Sequence, residues 1–463
     1  MFNNLLNTIN NYLYSNLLII LLVFTGLFFS IRTRFIQIRM LKEGLKLLGE
    51  KNKDTKGISS FQALMVSTAS RVGSGNIVGV ATAISFGGAG SVFWMWLMAI
   101  IGSASAFIES TLAQVYKTKD KDGFRGGPAY FIATGLKKRW MGILFAIFLI
   151  SCFGIGFNAL QAYNVSSSFD YYCSSDEMKQ VVSVTVGIVL AILTGVVIWG
   201  GTHRIGLITS VLVPIMAVLY ISLGLFITIK NYDILPSIFK RIFEGAFDFK
   251  AIFGGFAGSC VMYGVKRGLF SNEAGMGSAP NASATASVSH PVKQGLVQMI
   301  SVFIDTLIIC TTTAIILLVF GADKSLTGME YVQRAIQNEI GTIGIHFITI
   351  AMLLFAFSSI IGNYIYCESN FKFITKNKKA FVIFKCFCVL VVFYGAISSF
   401  DIVWNLSDIL MGFMAIINIV AILALSKVAL KTLRDYEYQK KKGKDPKFNP
   451  KKLEIEDTEC WDE

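Results

Sequence analysis

The sequence predicts an all-α integral membrane protein, and composition, the length of the apolar runs and the placement of basic residues carry that prediction. Of 463 residues, 54% are hydrophobic and 15% charged. That balance is too apolar for a soluble domain of this size, and the apolar residues come in long runs rather than amphipathic stripes. A formal net charge of +13 would suit a nucleic-acid partner. The lysines and arginines, however, sit in short segments between apolar runs, as topology signals do, so no nucleic-acid binding is expected. The eight cysteines are scattered, most of them inside apolar runs, and only Cys386 and Cys388 are closely spaced. They read as small hydrophobes in a lipid setting, not as a disulfide frame or a metal site.

A helix crosses a bilayer with about 20 apolar residues at 1.5 Å rise each. About eleven stretches qualify: 13–30, 61–86, 89–115, 140–167, 180–199, 204–229, 251–275, 294–320, 341–366, 380–398 and 402–428. The first, NLLIILLVFTGLFF, resembles the core of a signal peptide, but no basic residue precedes it and no small-x-small cleavage site follows, so it reads as a retained helix. The loop after it carries Arg32, Arg34, Arg39, Lys42, Lys46, Lys51, Lys53 and Lys56, whereas the loop after the second carries no basic residue. Lys117, Lys119, Lys121, Arg125, Lys137, Lys138 and Arg139 follow the third stretch, and only Lys179 follows the fourth. Lys372, Lys376, Lys378 and Lys379 follow the ninth, and a basic tail follows the last. Alternation of this kind predicts an outside N-terminus, a cytoplasmic C-terminus and an odd number of crossings. Segment 433–463 is charged and lacks apolar periodicity, which predicts a solvated, largely disordered end. Segments 36–48 and 326–340 are amphipathic and predict surface-lying helices.

The stretch SRVGSGNIVGVATAISFGGAG, from Ser70 to Gly90, weakens the second crossing with closely spaced glycines. Glycine costs up to about 1 kcal/mol in a helix interior relative to alanine. Either the glycines let neighbouring helices approach closely, or the helix unwinds at VGSGN. Freed backbone groups cannot face lipid, so an unwound segment would need protein, water or a ligand to satisfy them. The half-helix that follows would offer N–H groups to a carboxylate, and the half-helix before it carbonyl oxygens to a hard cation. The seventh crossing repeats the weakness at Gly254, Gly255, Gly258 and Gly264. Each weakened crossing leads a block of five, 61–230 and 250–428, after an extra N-terminal helix and basic segment in 1–60. Two such blocks of opposite topology predict an inverted-repeat transporter with its site at the midplane.

Other polar residues in the crossings point inward. Asn158, Gln161 and Asn164 recur at three-residue intervals and share a face, suited equally to ligand contact or to hydrogen bonds between helices. Ser358 and Ser359 would offer hydroxyl oxygens to a cation, though membrane serines more often bond their own backbone; Asn363 lies one turn beyond Ser359. Glu109 and Glu368 fall at ends of crossings, where ion pairs are expected, and the role of Asp305, inside the eighth, stays open. The three histidines, His203, His290 and His346, are not clustered, no nucleophile motif accompanies them, and no phosphate-binding loop is present. An enzyme is therefore not expected.

At RVGSGNIVGVATAI, GGPAYFI, GFNALQAYN and above all GVKRGLFSNEAGMGSAPNASATA, the chain resembles the alanine or glycine:cation symporter family, the sodium:alanine symporters. The resemblance runs from about Phe61 to Glu368. It implies a LeuT-type fold of eleven helices, an extra N-terminal one followed by two inverted five-helix repeats. It also implies sodium-coupled uptake of alanine or glycine by a multi-pass protein of a bacterial or archaeal cell membrane, surrounded by lipid, with a monomer sufficient for transport. Sodium is the coupling ion and no organic cofactor is implied. Gly73, Ser74, Gly75 and Asn76 would line the amino-acid site, with Gln161 a further contact; Ser359 and Asn363 would bear on pocket size. The carbonyls of Ala69 and Val72 and the hydroxyls of Ser358 and Ser359 would hold sodium. Some members carry threonine and tryptophan where this chain has Ser359 and Asn363, which leaves room for a larger substrate such as glutamine. Proton coupling is the alternative to sodium. Lys266, Arg267 and Glu273, within GVKRGLFSNEAG, read either as an ion-paired helix end or as part of an inner gate.

Overall fold

The computed structural model describes residues 2–50, 57–120, 123–248, 260–321 and 325–461, most of them helical. Among them, eight helices are long and apolar enough to cross a membrane: Gly90–Val115, Arg139–Tyr172, Asp176–Trp199, Ile205–Lys230, Pro291–Phe320, Thr342–Ile374, Lys378–Ala396 and Phe400–Ala424. Each coincides with an expected crossing. The other three expected crossings are shorter or interrupted, for identifiable reasons. The first is a 15-residue helix, Leu18–Arg32, preceded by a π-helical turn, Leu13–Leu17, and the helix Phe2–Tyr12. The second is broken at Val72, Gly73 and Ser74. The seventh is described only from Cys260 to Asn272; Gly254, Gly255 and Gly258 lie outside the described residues.

Burial separates an outer layer from an inner bundle. The helices Asp176–Trp199 and Gly201–Lys230 leave Val181, Ile192, Val211 and Val218 exposed. Aliphatic faces of that extent are what lipid covers. The inner bundle is polar as well as apolar, with Glu109, Asp305, Asp408, Lys266 and Arg267 all buried. The half-helix Ser60–Arg71 runs through this bundle, packed between Gly201–Lys230 and Thr342–Ile374. It starts at a reciprocal cap: the Ser59 hydroxyl accepts from Gln62 N–H at 3.1 Å, and the Gln62 amide oxygen accepts from Ser59 N–H at 2.9 Å. Gly362 lets the Thr342–Ile374 helix close on it, since a Cβ there would sit 2.7 Å from the Ser70 nitrogen.

The amphipathic stretches form the helices Ile36–Arg39, Leu41–Leu47 and Gly328–Ile340, the last burying Tyr331, Val332, Ala335 and Ile336. The tail departs from expectation. Instead of a disordered end beginning at residue 433, a helix spans Ser426–Lys441 and the chain beyond it lies folded against the protein. Phe448 N–H donates to the Ser289 carbonyl at 2.9 Å, Trp461 Nε1 donates to the Gln114 carbonyl at 3.0 Å, and Phe448 and Ile455 are buried. Composition misled because several of the charges are paired with residues far away in the chain. Lys293 reaches Glu50 at 2.6 Å and Asp445 at 2.7 Å, and Lys440 reaches Glu43 at 2.7 Å. Burial alone would raise the Glu43 carboxyl, but hydrogen bonds from Lys440 and Tyr436 hold it below its ordinary range. A few widely spaced apolar side chains then suffice to dock the segment.

Candidate functional site

The break in the second crossing is built by local sequence and closed by distant residues. Ser60–Arg71 ends at Val72, whose ψ of 87° leaves the helical region. The chain resumes as a π-helical turn, Gly75–Gly79, and continues as Val80–Gly87; such turns recur at functional sites. Every residue from Ala63 to Ser85 is buried, so the freed groups face protein rather than lipid. Gly73 N–H donates to Asn76 Oδ1 at 3.0 Å, and Ser74 N–H donates to Gln161 Oε1 at 3.0 Å. The Ser359 hydroxyl donates to the Ala69 carbonyl at 2.9 Å and lies 3.4 Å from the Val72 carbonyl. Gly73 is required here because a Cβ would run into Ser359 Oγ and the Gln161 amide, and one at Gly75 would meet the Phe270 ring at 2.6 Å. The Ser74 hydroxyl is buried without a partner among the described residues, a group whose desolvation costs about 1–3 kcal/mol until something bonds it.

Ala69, Val72, Gly73, Ser74, Gly75, Asn76, Gln161 and Ser359 thus converge, while two expected residues turn elsewhere. Ser358 donates to the Phe355 carbonyl of its own helix at 2.9 Å and lies 3.7 Å from Met216 Sδ. Successive helical residues point about 100° apart, so Ser358 and Ser359 cannot both face the break. Asn363 sits behind it, accepting from the Ser70 hydroxyl at 2.6 Å and donating to Asn158 Oδ1 at 2.9 Å.

Sequence reasoning left Asp305 without a role and did not include Ser271 or Thr313. Asp305 lies in a π-helical turn, Phe303–Cys310. Its carboxylate accepts from Asn76 Nδ2 at 2.6 Å, Ser271 Oγ at 2.6 Å and Thr306 Oγ1 at 3.0 Å. Thr313 Oγ1 donates to the Asn76 carbonyl at 2.7 Å. No lysine or arginine among the described residues lies within 4.0 Å of the Asp305 carboxylate. The available signal was an acidic residue in an apolar run; its partner, 229 residues away, was not legible.

The remaining charged residues sort differently from expectation. Lys266 and Arg267 do not form a cluster with Glu273. They meet Asp408, Lys266 at 2.7 Å and Arg267 in a two-pronged contact at 3.1 and 2.9 Å, with Arg267 4.2 Å over the Trp404 ring. Glu273 instead accepts from Ser278 and Ser70 and lies 4.0 Å from Arg71, which also bonds Ser301. Glu109 has no ion-pair partner among the described residues; it accepts from the backbone N–H groups of Gly275 and Gly277 at 3.3 and 3.1 Å and from Asn418 at 2.7 Å. The chain after Asn272 leaves the helix there, and the carboxylate satisfies the freed amides. Glu368 does pair with Lys372, at 2.6 Å.

An interrupted helix, closed by polar side chains from four other helices inside a membrane-spanning bundle, suits a small polar solute. Sequence comparison with known proteins gives the family. The sequence profile described as the sodium:alanine symporter family matches residues 1–450. The amino-acid carrier protein AlsT of Bacillus subtilis is 46% identical over 463 residues, covering 100% of this chain and 98% of that protein. The probable sodium/glutamine symporter GlnT of the same organism is 46% identical, covering 98% and 94%. The putative sodium/proton-dependent alanine carrier protein YrbD, also from Bacillus subtilis, is 41% identical, covering 98% and 96%. The chain belongs to the sodium:alanine symporter family, and it is a multi-pass membrane transporter rather than an enzyme.

Proposed function

We propose that the chain is a sodium-coupled symporter that takes up alanine or glycine by alternating access around the break at Val72, Gly73 and Ser74. The observation that carries this reading is the Ser359 hydroxyl set against two carbonyls of the broken helix, those of Ala69 and Val72. Three such oxygens suit a hard cation, and the sodium set proposed is Ala69, Val72 and Ser359, without Ser358. Beside it, Gly73, Ser74, Gly75, Asn76 and Gln161 hold the amino acid, whose carboxylate takes up the N–H groups at the start of the following half-helix. The N-terminus lies outside and the C-terminus in the cytoplasm, with eleven crossings, an extra N-terminal one followed by two inverted repeats of five. The basic loops after the first and third crossings meet the tail, where Arg39 pairs with Glu437 at 2.6 Å and Lys137 with Asp457 at 3.4 Å, which supports one shared side. Across about −100 mV, one inward sodium charge contributes about 2.3 kcal/mol, roughly fiftyfold accumulation.

Radiolabelled alanine uptake into proteoliposomes, with sodium and proton gradients imposed separately, tests the reading. Sodium-driven uptake is expected, and uptake indifferent to sodium would overturn it. Ser359→Ala is expected to raise the sodium concentration for half-maximal uptake about tenfold, the equivalent of one hydrogen-bond-strength contact. An unchanged sodium dependence would misplace the ion.

Asp305 favours a second reading. A buried carboxylate held by three neutral donors, Asn76, Ser271 and Thr306, is chemically able to carry a proton, and the relative YrbD is described as a putative sodium/proton-dependent carrier. Under sodium coupling, Asp305→Asn keeps sodium-driven uptake. If a proton gradient alone drives uptake in the parent protein and Asp305→Asn removes it, protons are the coupling ion. Competition by glutamine against alanine in the same vesicles ranks the substrates.

A further inference from the structure

Between the outer ends of several helices lies an open cavity of about 710 Å³, whose walls include Tyr163, Asn164, Gln333 and Phe400. It lies on the face opposite the tail: the Arg139–Tyr172 helix starts beside Lys137, which pairs with the tail residue Asp457, and ends at the cavity wall. Asn164 is the informative residue. It is 1% exposed, and neither Oδ1 nor Nδ2 has a partner among the described residues. Burying a primary amide with both ends unbonded is unfavourable, so the group awaits a partner that accepts at one end and donates at the other. The walls carry both signs of charge, Asp170, Glu330 and Asp401 against Lys179 and Arg334. A wall of one sign would gather ions of the other; a mixed wall suits a ligand that is dipolar and neutral overall.

The cavity also leads toward the break. Asn164 is one turn beyond Gln161, about 5 Å along the helix axis, and Gln161 bonds Ser74 N–H. Between them stands a run of aromatic rings: Phe400 is 6.2 Å from Tyr163 and 5.8 Å from Trp404, Trp404 is 5.3 Å from Phe270, and Phe270 covers Gly75. We propose that this cavity is a second binding site for the transported amino acid, where the Asn164 amide donates to its carboxylate and accepts from its ammonium before it passes the aromatic floor. The proposal rests on the transport reading above and adds a site to it. At the central site the Gly73 and Ser74 N–H groups are met by Asn76 and Gln161 and the Ser74 hydroxyl is left unbonded; at Asn164 both ends of the amide are left to the arriving zwitterion.

Cys173 lines the same cavity and is partly exposed, so it reports occupancy. The test follows alkylation of Cys173 by peptide mass spectrometry in the full-length protein in vesicles, with and without L-alanine. L-Alanine is expected to slow alkylation about tenfold in the parent protein and in Gln161→Ala, whose central site is disabled, but not in Asn164→Ala. Asn164→Ala is also expected to raise the KM for uptake about tenfold. Alkylation unaffected by alanine in the parent protein, or protection that vanishes in Gln161→Ala, would overturn the proposal, and neither result depends on Asn164→Ala folding. Absence of sodium-driven uptake by the parent protein is a separate readout, and it would count against the transport reading instead.

Discussion

Asn76→Ala is expected to reduce amino-acid uptake by at least about a hundredfold while the protein still folds. The Asn76 side chain ties the break to two other helices. Its Oδ1 accepts from Gly73 N–H, and its Nδ2 donates to Ser271 at 2.9 Å and to Asp305 at 2.6 Å. Alanine removes all three contacts at once, leaving Gly73 N–H bare and the Asp305 carboxylate with two donors. A hydrogen bond to a charged group contributes about 1.5–3 kcal/mol, and an orphaned buried donor costs about 1–3 kcal/mol. Those amounts are enough to let Gly73 and Ser74 drift from the geometry a ligand needs, and small against a bundle whose packing lies elsewhere. The measurement is paired: uptake in proteoliposomes, and the unfolding midpoint of the purified protein. Uptake within a few-fold of the parent at a normal midpoint would mean that the break is a packing device and the site lies elsewhere.

How far that site was legible depends on sequence distance. VGSGN announces a weak point because glycine's cost and the ban on bare backbone in lipid are local arguments, and Gly73 and Gly75 do lie where a Cβ would strike Ser359 and Phe270. Gln161 was legible as part of a three-residue stripe, but the stripe could not say that Asn158 would bond Asn363, that Gln161 would bond Ser74, or that Asn164 would bond neither. Ser358 shows the limit from the other side: two adjacent serines look equivalent in a sequence, and only the helix's rotation against the break selects Ser359. The tail failed for a related reason. Its lysines and acidic residues are indistinguishable from a solvated run until Glu43 and Lys293, far away in the chain, supply counter-charges to Lys440 and Asp445. The seventh crossing remains partly outside the described residues, so the symmetry argument that its glycines prompted rests on the sequence.

The second large effect concerns stability and separates the two readings of the GVKRGLF motif. Asp408 is 1% exposed and is the carboxylate partner of both Lys266 and Arg267. Removing one partner of a buried ion pair costs about 3–5 kcal/mol, because the charge left behind is not resolvated. Asp408→Ala leaves two such charges, eased by Asn10 Oδ1 at 3.0 Å from Lys266 and by the Tyr14, Trp404 and Phe270 rings. It is therefore expected to be the most destabilising of these substitutions, visible as loss of the monodisperse peak in fluorescence-detected chromatography and as a fall in unfolding midpoint. Lys266→Met is expected to be mild, since it leaves Arg267 and Asp408 as a neutral, two-pronged pair and replaces a buried ammonium by a thioether of similar length. If Lys266 only completes a structural pair, Lys266→Met transports at the parent rate. If the contact opens during each cycle as an inner gate, its loss changes the maximal rate while the unfolding midpoint stays put, because a bond that must break in turnover contributes to the barrier and not only to the fold. Equal destabilisation by Asp408→Ala and Lys266→Met would contradict the charge arithmetic, since only the first strands uncompensated cations in the bundle.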